Sequence, residues 1–191
     1  MTAKPDAPHL GIVVEGPGDL AALPVLLRIH LAARGEYRDL LGKPIPTRGR
    51  DRAIAGKGLE GYVQAAANRP GCRAVLVLLD SDKDPACQLG PELLTRAQSV
   101  ARIPVVIALA EPNFEGWIVA SAESLGIDGL DFAPTTAPAR LLEAALPGKY
   151  VKPVYQPKLA ARIDLNLATS RSQSLRRTLD RVDRLIAECL T

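Results

Sequence analysis

The chain has 191 residues, 47% of them hydrophobic and 24% charged, with a formal net charge of +3. That length suits one domain with a real buried core, and that balance excludes a disordered or collagen-like chain. Aromatic residues make up only 4%, so the core must be aliphatic.

Residues 10–14 form a short β-branched apolar run that ends in Glu15-Gly16-Pro17-Gly18-Asp19, which reads as a buried strand entering a tight turn. A helix is expected next, capped by Asp19, with Leu23, Leu26, Leu27 and Leu31 at helical spacing and Pro24 either in its first turn or at a kink. A second strand is expected over 43–48. The Gly- and Arg-rich stretch 49–61 reads as a mobile loop leading into a helix over 59–68, which Pro70 and Gly71 stop. Residues 74–79 are a continuous Val/Leu run that gives way abruptly to Asp80, Ser81, Asp82, Lys83 and Asp84, as at the carboxyl end of a parallel strand buried on both faces. A helix over 91–101, a strand over 103–110 and a turn into a helix carrying Phe114, Glu115 and Trp117 follow. After a loop at 128–139, helices are expected over 140–146, 158–165 and 175–190, with a Pro/Lys/Tyr-rich connection ahead of the second. Strands alternating with helices imply parallel β-α-β units. The expected fold is an α/β open, mostly parallel sheet with helices on both faces. Residues 1–125 would form its core and 126–191 a helical extension packed on it.

The longest apolar runs are too short for a membrane helix, which needs about 20 residues, and the first residues lack the pattern of a secretory signal, so a cytoplasmic location with no membrane partner is expected. Cys72, Cys87 and Cys189 contain no C-x-x-C pair and are read as reduced structural thiols, not a disulfide framework or zinc site. Basic residues concentrate at Arg48, Arg50, Arg52 and Lys57 and again through the last third, from Lys149, Lys152 and Lys158 to Arg177, Arg181 and Arg184. Such stretches suit a polyanionic partner or simply solvated helix faces. On the last helix Arg176 with Asp180, and Asp180 with Arg184, stand at ion-pair spacing.

In an open parallel sheet, sites form outside the carboxyl ends of the strands. Glu15 closes the first strand and Asp80 the third, so the two meet if those strands are neighbours. Carboxylates crowded at one spot repel one another, and a divalent cation is the usual neutraliser. His9 and His30 lie away from these acids, so the donors would be all oxygen, which selects Mg²⁺ or Mn²⁺. The candidate ligands are Glu15, Asp80 and Asp82, with three further acids of more divided reading. Asp19 is also explained by capping, Asp84 by exposure to water, and Glu115 by the dipole of the helix it opens.

Other motifs compete for these residues. Gly16-Pro17-Gly18-Asp19-Leu20-Ala21 fits the dinucleotide fingerprint G-x-G-x-x-G/A, but Glu15 and Asp19 would set two negative charges where a pyrophosphate lies. Gly56-Lys57-Gly58 lacks the spacing of a P-loop. Asp80-x-Asp82 is also similar to the opening of haloacid-dehalogenase phosphatases, although those carry it on the first strand and have Thr or Val where Asp84 stands.

A strand ending in Glu15-Gly16 with Asp19, followed by an apolar strand and Asp80-x-Asp82, resembles the Toprim domain of topoisomerases, primases and OLD-type nucleases. Together with Leu23-Pro24, Pro112-Asn113-Phe114-Glu115-Gly116-Trp117 and the stretch from Lys152-Pro153 to Ile163-Asp164-Leu165, it is similar to a small bacterial stand-alone Toprim-like family of unknown function. The resemblance implies a Toprim-like fold and phosphodiester chemistry, with Glu15 as metal ligand or general acid/base and Asp80 and Asp82 as metal ligands. From OLD-type nucleases it implies an assisting lysine, Lys152 or Lys149. The ATPase that accompanies Toprim in OLD proteins is absent from this chain. The leading expectation is a Mg²⁺- or Mn²⁺-dependent nuclease-type subunit acting on nucleic acid, DNA or RNA, with a separate ATPase subunit and a homodimer as candidate assemblies. Its rivals are a non-catalytic nucleic-acid-binding or ATPase-docking module and, third, a small-molecule phosphatase using Asp80.

Overall fold

The structure, a computed structural model, describes residues 7–135 and 137–191. Four parallel strands, β1 (His9–Val14), β2 (Ile45–Pro46), β3 (Cys72–Asp80) and β4 (Val105–Ala110), form one sheet in the order β2-β1-β3-β4. Side chains alternate across a strand, and both faces are apolar here. Leu10, Ile12, Val14, Leu76, Leu78 and Ala108 turn to one layer of helices; Val13, Val75, Val77, Leu79 and Ile107 turn to the other. The first layer holds α1 (Pro17–Ala33), α5 (Phe114–Val119), α6 (Pro138–Ala145), α7 (Lys152–Ala160), α8 (Leu165–Arg171) and α9 (Gln173–Leu190). The second holds α2 (Arg50–Ile54), α3 (Gly58–Ala67) and α4 (Ala86–Gln98). This is the open parallel α/β sheet with helices on both faces that the alternating pattern implies, and it is consistent with a Toprim-like fold.

Several elements differ from the sequence expectation. The strand expected over 43–48 shrinks to the two residues of β2, since Pro44 and Pro46 cannot donate to a ladder. Beyond it, Thr47 N–H still donates to Val14 O at 2.8 Å and Gly49 N–H to Glu15 O at 3.1 Å, so the chain stays pinned beside the end of β1. The stretch expected as a mobile loop contains α2. α1 begins at Pro17 with Gly16 as N-cap, which places Asp19 inside its first turn and leaves Pro24 buried mid-helix.

The largest difference is α7. Residues 152–157 were expected to be a connection because of their prolines, yet they are helical, with Pro153 in the first turn and Pro157 inside. A helix interior penalises proline, so packing must hold α7, and Gln156, Leu159 and Ala160 are buried on α1 and its neighbours. Gly18 makes the approach possible: a Cβ there would lie 1.7 Å from Gln156 Oε1 and 3.1 Å from Lys152 Cβ. The expected helix over 158–165 divides accordingly. α7 ends at Ala160, and Asp164 caps α8 by accepting from Leu167 N–H at 3.0 Å.

α9 lays Leu175, Leu179, Val182, Ile186 and Cys189 on the sheet layer. It is tied to the site region by Ser174, whose Oγ accepts from Trp117 Nε1 at 2.8 Å and from Glu111 N–H at 3.2 Å. Its expected pairs are not formed: Asp180 makes no ion pair with Arg176 or Arg184 among the described residues. Asp183 instead meets His30 at 2.7 Å and Arg34 at 2.9 Å.

Candidate functional site

Because β1 and β3 are neighbours, their carboxyl ends deliver Glu15 and Asp80 to the same place. Asp80 N–H donates to Glu15 Oε2 at 3.2 Å, across 65 residues of chain. Asp80 is buried at 6% exposure, and its Oδ1 accepts from Phe114 N–H at 3.0 Å where α5 begins. Asn113 caps α5 by accepting from Gly116 N–H at 3.2 Å. That cap turns Glu115, with no exposed surface, inward toward the same point. Asp19, on the first turn of α1, accepts from Gly16 N–H at 3.1 Å and from Gln156 Nε2 at 3.3 Å.

One cation reaches into this group of four acids. Lys152, at the start of α7, places Nζ 3.1 Å from Glu115 Oε1 and 4.0 Å from Asp80 Oδ2. Tyr150 O–H donates to Glu115 Oε1 at 3.3 Å. Glu15 and Asp19 have no ion-pair partner among the described residues. One ammonium therefore faces four carboxylates.

The charge imbalance shows in the protonation equilibria. Burial, reinforced by the Asp19 and Glu15 carboxylates, pushes Asp80 up to about 8. Burial also raises Glu15, opposed by the Asp80 N–H and reinforced by Asp19. Asp19 is raised by burial against the relief its Gly16 N–H bond supplies. Burial and then Glu115 hold the Tyr150 phenol above its usual range. For Lys152 burial works downward, but Glu115 and Asp80 together outweigh it and keep the ammonium charged.

The remaining sequence candidates are more exposed than this buried group. Asp82 takes a left-handed backbone conformation (φ 51°) and its N–H donates to Pro112 O at 2.8 Å, so the chain turns sharply after Asp80, while the half-exposed Asp82 carboxylate stays near enough to help raise Glu15. Asp82 Oδ2 lies 3.6 Å from Arg50 Nε, and Asp84 pairs with the Arg50 guanidinium. Arg50 also donates from Nε to Asp80 O at 3.2 Å, stapling α2 beneath the loop. Lys149 is exposed and makes no ion pair among the described residues, so of the two lysines only Lys152 enters the cleft.

Sequence reasoning missed Tyr150, Gln156 and the roles of Gly18 and Arg50. Gln156 carries an unusual feature: its Oε1 is buried without a hydrogen-bond partner among the described residues and presses on Gly18. Gly18 of the dinucleotide-like fingerprint is thus filled by the protein's own glutamine. The signal available was the glycine itself, since an interior glycine often marks a close approach.

The donor set is all oxygen, as a hard cation requires. Among the described residues, however, no three His, Cys, Asp or Glu side chains stand so that they could hold a metal ion together. That arrangement still fits Mg²⁺ or Mn²⁺, because Mg²⁺ is usually held by one or two carboxylates plus waters and substrate phosphates.

Fold and site together define a parallel α/β protein with an acidic cleft at the carboxyl edge of its sheet, crossed by one lysine. The chain belongs to the family described as Domain of unknown function (DUF4276), which it matches over residues 14–183, from the last residue of β1 well into α9. That match makes no link to Toprim domains or OLD-type nucleases. No curated protein and no solved structure matches the chain. Among the described residues no helix is long and apolar enough to cross a membrane.

Proposed function

We propose that the cleft is a Mg²⁺- or Mn²⁺-dependent phosphodiester-processing site of the Toprim kind, acting on nucleic acid. The observation that carries this reading is the gathering of Glu15, Asp19, Asp80 and Glu115 around a single ammonium, with Glu15 and Asp19 left without an ion pair. Asp80 and Asp19, with Glu15 beside them, would hold the cation and share it with a substrate phosphate. When bound, such a cation polarises a phosphoryl oxygen and neutralises charge on the leaving group.

The chain's own residues supply the rest. Glu15 is the least buried of the four acids and is raised above the ordinary carboxylate range, which suits it to take a proton from an attacking water. Lys152, half exposed and anchored by Glu115, can lean on a phosphate oxygen while its stem stays fixed. Tyr150 and Gln156 position Glu115 and Asp19. Arg48, Arg52 and Lys57 remain exposed on the stretch that follows β2 and would guide a polyanion, whereas Arg50 is committed to Asp82 and Asp84.

Thermal melts with Mg²⁺, Mn²⁺ or Zn²⁺ test the cation site. A ligand at 100 times its Kd stabilises by about 2.7 kcal/mol, so millimolar Mn²⁺ or Mg²⁺ should raise the midpoint, with no preference for Zn²⁺. Asp80→Asn should abolish that response and Asp84→Asn should keep it. An unchanged midpoint in the parent protein would sink the metal reading. Incubation with single- and double-stranded DNA and RNA then separates chemistry from binding. Retention without cleavage, in the presence of Mn²⁺, would leave the non-catalytic module as the reading that stands.

A further inference from the structure

A groove lies at the far edge of the sheet. β4 is an edge strand, and the groove, of about 550 Å³, runs along it between α4 and α9. Val75 N–H donates to Pro104 O at 2.8 Å and Ser81 N–H to Ala110 O at 2.9 Å, so the even-numbered residues of β4 bond toward β3. In a parallel ladder the intervening residues turn their N–H and C=O the other way. The backbone groups of Val105, Ile107 and Leu109 therefore face the groove. Among the described residues a single one of them is engaged, Ile107 O, which accepts from Arg181 Nη1 at 2.9 Å.

The two walls differ. α4 contributes Ala86, Gly90 and Leu94, a small and apolar surface. α9 contributes Arg177, Arg181 and Arg184, all exposed and none in an ion pair among the described residues; Glu111 stands at the carboxyl end of the strand as the opposing charge. The bonds from Glu111 to Ser174 and from Ile107 to Arg181 show that α9 runs antiparallel to β4. Residues four apart on a helix are separated by roughly 6 Å along its axis, and same-face residues of a strand by about 6.6 Å. A strand added to β4 would thus present every second side chain in step with Arg177 and Arg181.

We propose that β4 accepts an extended segment of an acidic protein partner by strand addition, with carboxylates of alternate residues meeting the α9 arginines and the intervening apolar side chains lying on α4. A second copy of this chain would bring the same three arginines face to face, which disfavours self-pairing. Single-stranded nucleic acid uses stacking on aromatic side chains, and no aromatic residue lines this groove.

The probe is a fluorescent peptide of alternating Val and Glu, titrated into the full chain and followed by anisotropy and by amide hydrogen exchange. It should bind, weaken with added salt, and protect the Ile107 and Leu109 amides. The Arg177→Gln/Arg181→Gln variant should bind about tenfold more weakly, as should Arg177→Gln/Arg184→Gln, which keeps the Arg181 contact to Ile107 and so guards against a folding defect. A peptide N-methylated at alternate residues should not bind. Equal affinity of parent and both variants, binding of a Val/Lys peptide as tight as that of Val/Glu, no protection of the β4 amides, or displacement of the peptide by oligothymidylate would each overturn the proposal.

Discussion

The carboxyl end of β3 sends its acids into two different settings. Asp80 accepts from the Phe114 N–H, donates its own N–H to Glu15, shares Lys152 with Glu115, and lies near Asp19. Asp82 and Asp84, two and four residues on, stand at the surface against a guanidinium of their own. The first group is buried, with one ammonium for four carboxylates; the second is exposed, with one guanidinium for two. An acidic run read as one motif is therefore two devices. One gathers buried carboxylates whose ionisation burial opposes, and the other fastens α2 to the strand end.

The sharpest way to test the contrast is pH. Asp80 is raised from an unfolded value near 3.8 to about 8, so the folded state binds more protons between those limits. Its contribution to stability is present below the unfolded pKa and is lost as pH rises through the folded one. In Asp80→Asn that loss should vanish. Relative to the parent, the variant should gain stability progressively as pH rises from about 4 to about 8, and at pH 9 it should be more stable by an amount of order several kcal/mol, read from urea unfolding at each pH. Equal slopes in parent and variant would mean that Asp80 is not the strained carboxylate.

The next effect is steric. Gly18→Ala places a methyl group in the position of Gln156 Oε1 and against Lys152 Cβ. Overpacking of this kind costs about 1–3 kcal/mol, and it should also move Lys152 off Glu115. A drop in melting temperature together with a weaker cation response is the expected pair. A lower midpoint with an unaltered cation response would separate α7 from the site.

Smaller again is Arg50→Gln, which removes the partner of Asp82 and Asp84 and the bond to Asp80 O. About 1 kcal/mol is expected from chemical denaturation, since the guanidinium is largely buried while its acids are not. The smallest change is Asp84→Asn, within about 0.5 kcal/mol; a larger loss would show that the surface group carries structural weight of its own.

Much of the cleft was legible from residue types at strand ends. The apolar run before Asp80 and the β-branched run before Glu15 place both acids at the carboxyl edge of a parallel sheet, and the turn ahead of Phe114 places Glu115 at a helix start. The pairing of Asp82 and Asp84 with Arg50 was not legible, because a strand pattern says where the strand stops and nothing about the turn that follows. The left-handed conformation at Asp82 decides that turn. Lys149 and Lys152 were equivalent by composition and are separated only by the helix that begins between them.

α7 shows the limit most plainly. Its prolines argue against a helix by local propensity, and local propensity is all that a short stretch of sequence expresses. The helix exists because Gly18, more than a hundred residues earlier, leaves room for Gln156 and Lys152 to approach α1. The sequence by itself determined the alternating α/β order, the two apolar faces of the sheet and the acids at its carboxyl edge, since each follows from the periodicity of neighbouring residues. Tertiary structure alone decided which acids share a cation, which arginine neutralises the others, and which strand is left with an open edge, because these depend on contacts between segments that are remote along the chain.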